Sequence, residues 1–283
     1  MDSHQPAEHG STPADTGVQE IWVPAALGRL HAKRWTADSG SKSRIPIVLL
    51  HDSLGCTALW RSFPAELARV TGHPVVSYDR LGFGQSDPHP GVLDAAFVGA
   101  EAQGGFAAVL EALAIDRFMV LGHSVGGGMA LSIAAAYPGR CVAVITESAQ
   151  SFVEPLTLDG IRAARDGFAA PGQMDRLEKY HPGKARWVLD AWVNTWLSPQ
   201  FRDWSLDAVL PRVRCPSLVF QGVNDEYGSL RQPERIVALA GGPVTLVQLD
   251  CGHVPHRECT AQVLQRVQAF VALIDAPAEA ACP

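Results

Sequence analysis

Ser124 stands in Gly122-His123-Ser124-Val125-Gly126, a G-x-S-x-G stretch followed by Gly127 and Gly128. A serine hydroxyl is a poor nucleophile at neutral pH. It needs a general base, and the base needs an acid to orient it. A tight strand-to-helix turn lifts such a hydroxyl clear of a sheet, and small residues two before and two after it let strand and helix approach. The helix N-terminus behind it then favours developing negative charge. The twelve residues 120–131 alone do not decide between this and a structural glycine-rich turn. A phosphate loop fits less well, because neither G-x-G-x-x-G nor a Walker lysine is present.

The required partners must lie later in the chain. Residues 217–225 read SLVFQGVND: a predicted strand ends at Gln221, Gly222 turns, and Asp225 follows in the loop. Residues 246–258 read LVQLDCGHVPHRE: a predicted strand ends at Leu249, and His253 lies before the last helix. Ser124, Asp225 and His253 thus fall at the C-terminal ends of three predicted strands, the edge on which open α/β sheets carry their sites. Asp250 is read as too close to its strand end to serve as the acid, and Glu226 as pointing away. His256 is read as a structural histidine. Of the two amides an oxyanion hole needs, one is that of Val125. The other belongs to the loop His51-Asp52-Ser53-Leu54-Gly55.

The elements that must position these groups alternate. Ile21–Pro24 and Leu30–Trp35 predict an antiparallel pair. Strands are predicted at Ile45–Leu50, Val75–Tyr78, Arg117–Leu121, Val142–Thr146, Ser217–Gln221 and Val244–Leu249. Helices are predicted at Leu59–Val70 (with a break near Pro64), Ala95–Leu113, Val125–Tyr137, Pro233–Ala240 and Thr260–Ile274. Runs rich in Val, Ile and Leu separated by helical patterns mean a mostly parallel sheet covered on both faces. From about 152 to 207 the pattern is helical with no strand, which reads as an inserted cap. That stretch holds Trp187, Trp192, Trp196 and Trp204, four of the seven tryptophans. The expected division is a tail at 1–19, a core at 20–150 and 209–276, a cap at 151–208, and a second tail at 277–283.

Composition narrows the function. The 283 residues are 47% hydrophobic and 18% charged, enough for a sizeable core. A net charge of −6 without a basic run excludes nucleic acid as an expected partner. No apolar run approaches the roughly 20 residues of a membrane span. The polar N-terminus lacks the n- and h-regions of a signal peptide, and six scattered cysteines without CxxC spacing read as reduced thiols; a cytoplasmic protein is expected. The spacing of Cys251, His253, His256 and Cys259 matches none of the usual zinc patterns.

With these residues assembled, the chain resembles the α/β-hydrolase superfamily from about residue 20 to 275. LLHDSLG (49–55) is similar to the family's oxyanion loop, and SYDRLGFGQSD (77–87) to its Asp-x-x-Gly-x-Gly-x-Ser turn. GHSVGG (122–127) is similar to its nucleophile elbow, and CGHVPHRE (251–258) to its histidine loop. The resemblance implies an eight-stranded α/β-hydrolase fold and a Ser124–Asp225–His253 triad. Ser53 is the implied second oxyanion donor, with Leu54 next. It also implies hydrolysis of an ester or lactone without metal or organic cofactor; a monomer or homodimer is expected. Asp52 departs from the family's usual glycine and is expected to turn outward and cap its own loop. Trp187, Trp192 and Trp196 are the expected cap contacts to a small or medium apolar substrate. His123 and Glu147 are further candidate contacts. Arg162, Arg165 and Arg186 read as a solvated helix face. Hydrolysis of a carbon–carbon bond in a meta-cleavage diketone, perhydrolysis, and a ligand receptor with a slow triad are the alternatives.

Overall fold

The computed structural model describes residues 17–37 and 44–276; most of the two expected tails lies outside them. The chain runs β1 (Gly17–Ala25), β2 (Gly28–Thr36), β3 (Ile47–Leu50), a 3-10 turn (Thr57–Trp60), α1 (Phe63–Thr71), β4 (Val75–Tyr78), α2 (Phe97–Ala100), α3 (Gly105–Ala112), β5 (Phe118–His123), α4 (Val125–Ala136) and β6 (Cys141–Glu147). Three helices follow: α5 (Pro155–Gly167), α6 (Gln173–Tyr180) and α7 (Ala185–Trp196). The chain then returns through β7 (Ser217–Gly222), α8 (Arg231–Leu239), β8 (Val244–Leu249), the short α9 (Pro255–Glu258) and α10 (Thr260–Asp275).

The eight strands form one sheet in the order β1-β2-β4-β3-β5-β6-β7-β8. β1 and β2 join it antiparallel, and β3 to β8 are parallel. Alternation along each strand sorts the apolar residues by face. Val48, Leu50, Val120, Val144 and Val219 pack under α4, while Ile47, Leu49, Met119, Leu121, Ile145 and Phe220 pack against α1 and α10. Both faces are dry, which is why these strands read as unbroken hydrophobic runs. Among the described residues no helix is long and apolar enough to cross a membrane.

The single helix predicted at Ala95–Leu113 is in fact two. Gly104, with φ −98° and ψ −111°, lies outside helical space and separates α2 from α3. Paired glycines carry the entropic cost that makes such a break cheap. The stretch between β6 and β7 is helical apart from one antiparallel bridge, Phe152 to Ser205. Its entry is tied to the loop after β7. Glu154 accepts from the Ser229 amide (2.9 Å), the Ser229 hydroxyl (2.7 Å) and Gln232 Nε2 (2.8 Å), and Thr157 Oγ1 donates to the Tyr227 carbonyl (2.6 Å).

α4 lies unusually close to the sheet. A Cβ added to Gly126 would sit 2.2 Å from the Leu50 carbonyl oxygen, and one on Gly122 would sit 2.0 Å from the Gly126 carbonyl oxygen. These are backbone atoms that no rotamer change can clear. Gly126→Ala is therefore expected to cost about 2–3 kcal/mol, the range for overpacking a filled site. Gly139→Ala, where nothing lies within 4 Å, should stay within about 0.5 kcal/mol. Urea unfolding of the two variants side by side checks the difference.

Candidate active site

β5 delivers Ser124 to the sheet's C-terminal edge with φ 59° and ψ −125°. A non-glycine residue at positive φ is strained by about 1–3 kcal/mol and persists only where its surroundings hold it. Here the Ser124 amide donates to the Glu147 carbonyl (2.8 Å), and the Ser124 carbonyl accepts from the Gly127 amide (2.9 Å). The side chain is only 5% exposed and opens into a cavity of 180 Å³. Its hydroxyl donates to Gln150 Oε1 at 3.2 Å.

Asp225 and His253 meet across the loops after β7 and β8. His253 Nδ1 lies 2.8 Å from Asp225 Oδ1 and 2.9 Å from Oδ2. The carboxylate also accepts from the amides of Tyr227 (2.8 Å) and Gly228 (3.1 Å) and from Gln221 Nε2 (2.8 Å). Burial opposes its charge, but the hydrogen bond and charge of His253 and the Tyr227 amide outweigh burial. Asp225 is held below the usual carboxylate range. Asp250 pairs with Asn224 Nδ2 at 2.9 Å instead, out on the surface. Glu226, read from sequence as pointing away, lines the cavity with Ser124 and His253.

The loop after β3 is braced from behind. Burial, then the charge of Arg80, pushes His51 down to about 3, so its ring is neutral. His51 Nε2 accepts from the Arg80 amide (3.1 Å), and its Nδ1 donates to the Asp52 carbonyl (2.8 Å). Arg80 Nη2 donates to that same carbonyl at 2.8 Å. With the Asp52 carbonyl held toward Arg80, the planar trans peptide sends the Ser53 N–H the opposite way. Ser53 and Leu54 both line the cavity. The Leu54 carbonyl accepts from Nε2 of His181, a buried residue that closes α6.

Three of the expected substrate contacts lie elsewhere. Trp187 turns away: its Nε1 donates to the Gly91 carbonyl (2.7 Å), and its ring stacks on His89 at 5.1 Å. Trp192 and Trp196 do line the cavity. They are four residues apart and share one face of α7, whereas Trp187, five residues before Trp192, lies about 140° round the helix. His123 points beneath the cavity, where its Nε2 donates to the His253 carbonyl at 2.8 Å. Glu147 is buried under β8's loop, with Oε2 2.6 Å from His256 Nδ1. Its bond to that imidazole braces the histidine loop, and Glu147 does not line the cavity. Asp52 does not cap its own loop: Oδ2 lies 3.5 Å from His123 Nδ1.

Sequence reasoning missed Gln150 and Tyr227 as cavity residues. Tyr227 packs on His253 with ring centroids 4.8 Å apart. Gln150 carried a weak signal, lying three residues past the strand that follows the elbow. Tyr227 carried another, an aromatic two residues beyond the acid.

A family model described as the alpha/beta hydrolase fold matches residues 45–206, more than half of the chain. The chain belongs to the α/β-hydrolase family. The 2-hydroxy-6-oxo-2,4-heptadienoate hydrolase of Pseudomonas putida is 27% identical over 255 residues, 81% of this chain and 90% of that protein. The enol-lactonase of Burkholderia xenovorans superposes with a TM-score of 0.70 at 18% identity, over 89% of this chain and all of that one. The carboxylesterase CesB of Bacillus subtilis does so with a TM-score of 0.67 at 19% identity, over 90% and 92%. Other curated relatives match over shorter stretches: at 31–34% identity, the chain spans only 30–35% of their length. The eight-stranded, mostly parallel sheet is the fold of its structural neighbours.

Proposed function

We propose that the protein is a serine hydrolase of the carboxylesterase type, cleaving an ester or lactone of a small to medium, fairly apolar substrate through an acyl-enzyme on Ser124. The observation that carries this reading is the serine at φ 59° opening into a cavity that also receives His253, itself bonded to Asp225. In the proposed reaction the hydroxyl turns from Gln150 to His253, which takes its proton as Ser124 attacks the carbonyl. Asp225 holds the imidazole in the tautomer with Nε2 free and stabilises the cation that forms. The Val125 and Ser53 amides receive the oxyanion, the latter favoured over Leu54 by the peptide orientation behind it. His253 then protonates the leaving group and activates water for deacylation. Residues 151–208 act as the cap over a core of 20–150 and 209–276, with Trp192 and Trp196 forming its wall.

A second reading, carbon–carbon bond hydrolysis, is favoured by the Pseudomonas putida relative. Against it stands the charge of the cavity. The Glu226 carboxylate lines it, and among the described residues no lysine or arginine does, so a dienoate carboxylate meets repulsion rather than a partner. An ester, lactone and ring-cleavage panel at one enzyme concentration separates the two. Neutral short-chain esters or lactones are expected to turn over at least about tenfold faster than the anionic diketone, the effect of one unpaired charge. Preference for the diketone overturns the ester reading.

A further inference from the structure

Asp52 puts a carboxyl group into the lining of the cavity, one residue before the proposed oxyanion donor. Its Oδ1 is buried without a hydrogen-bond partner among the described residues, and its Oδ2 faces His123 Nδ1 at 3.5 Å. Alone, that charge opposes the oxyanion it adjoins. His123, 2% exposed, sets the other nitrogen 2.8 Å from the His253 carbonyl oxygen. A carbonyl only accepts, so Nε2 carries a proton, and Nδ1 also faces an acceptor. Of the three imidazole forms, only the cation keeps the bond to His253 and also sets an opposite charge against Asp52.

The other groups around His123 leave this assignment intact. His253 and His256 lie with ring centroids 5.0 and 5.1 Å away, and Trp60 at 6.4 Å. His256 is engaged with Glu147, which stands opposite His123 in the sheet. His51 is neutral, and Arg257 shares the small cavity on the far side. Burial disfavours the His123 cation, but the Asp52 hydrogen bond and charge, with Glu147 behind them, lift it above its ordinary 6.5.

We propose that Asp52 and His123 form a charge-paired strut that ties the oxyanion loop to the histidine loop and cancels the field of Asp52 where the oxyanion develops. His123 is then a positioning residue, holding His253 by its main chain. The proposal rests on Ser124 being the nucleophile. A raised histidine pKa also sets the sign of its stability contribution: full below 6.5, and lost as pH rises through the folded value.

The test combines a double-mutant cycle with nuclear magnetic resonance. Nitrogen shifts of His123 should show both ring nitrogens protonated at pH 7, and its titration should move to lower pH in Asp52→Asn. Glutamine can still donate to the His253 carbonyl, so His123→Gln removes the charge and keeps that bond. It should lose roughly 10- to 100-fold in kcat, the effect of one uncompensated charge in a partly dry site. Adding Asp52→Asn to it should restore most of the loss. A neutral His123 at pH 7 in the wild type, or a double variant no faster than His123→Gln, overturns the strut. If His123→Gln does not fold, the titration in the wild type and Asp52→Asn decides alone. Fluorophosphonate labelling of the wild type separates the two failures. A labelled Ser124 without rescue defeats only the strut, whereas an unlabelled one defeats the nucleophile and the proposal with it.

Discussion

Ser124→Ala should lower turnover of a short-chain aryl ester by about 10⁴-fold or more, because the proposed acyl-enzyme forms on its hydroxyl. The substitution is clean in structural terms. The elbow is held by main-chain bonds, Ser124 N–H to the Glu147 carbonyl and Gly127 N–H to the Ser124 carbonyl, and alanine keeps both. The one side-chain bond lost is that to Gln150 at 3.2 Å, worth about 1 kcal/mol. Folding should therefore survive while chemistry fails. Initial rates together with loss of the fluorophosphonate adduct check it, and a variant retaining most of its activity overturns the acyl-enzyme.

Asp225→Asn should cost about 10³- to 10⁴-fold in kcat through the tautomer of His253. The native carboxylate only accepts, and it meets donors at every contact: two amides, Gln221 Nε2 and His253 Nδ1–H. Asparagine replaces one acceptor oxygen with an NH₂ group. If its oxygen keeps the Tyr227 and Gly228 amides, the NH₂ group faces Gln221 and His253. Accepting from that NH₂ group puts the imidazole proton on Nε2, where it can no longer take a proton from Ser124. The variant should also lose stability at neutral pH. Because Asp225 sits below its ordinary 3.8 in the folded protein, its contribution is full above 3.8 and disappears as pH falls through the folded value. The stability gap between wild type and variant should narrow in acid. Rates at saturating ester and urea midpoints at two pH values measure both effects. A variant within tenfold of the wild type would remove Asp225 from the orienting role.

Much of the site was legible because it is written locally. The glycines of the elbow sit where strand and helix must touch. Asp225 and His253 follow hydrophobic runs that end in turns, so their edge of the sheet follows from strand direction alone. The choice among tryptophans was also latent in the chain, since the i, i+4 spacing of Trp192 and Trp196 separates them from Trp187 once α7 is recognised as a helix. Applying that period would have placed Trp187 off the cavity face.

What tertiary structure decided concerns side chains whose partners come from distant segments. His123 and Glu147 end neighbouring strands beside the nucleophile, and by sequence both look like substrate contacts. Their acceptor and donor come instead from the histidine loop more than a hundred residues away, and a buried polar group goes to the partner that satisfies it. Asp52 looks like an outward cap because nothing in its own segment carries a compensating charge. Only the parallel pairing of β3 with β5 brings His123 against it. Residue type and order determined the fold and which groups are candidates for the chemistry; burial, by forcing polar atoms to find partners across the sheet, determined which of them line the cavity.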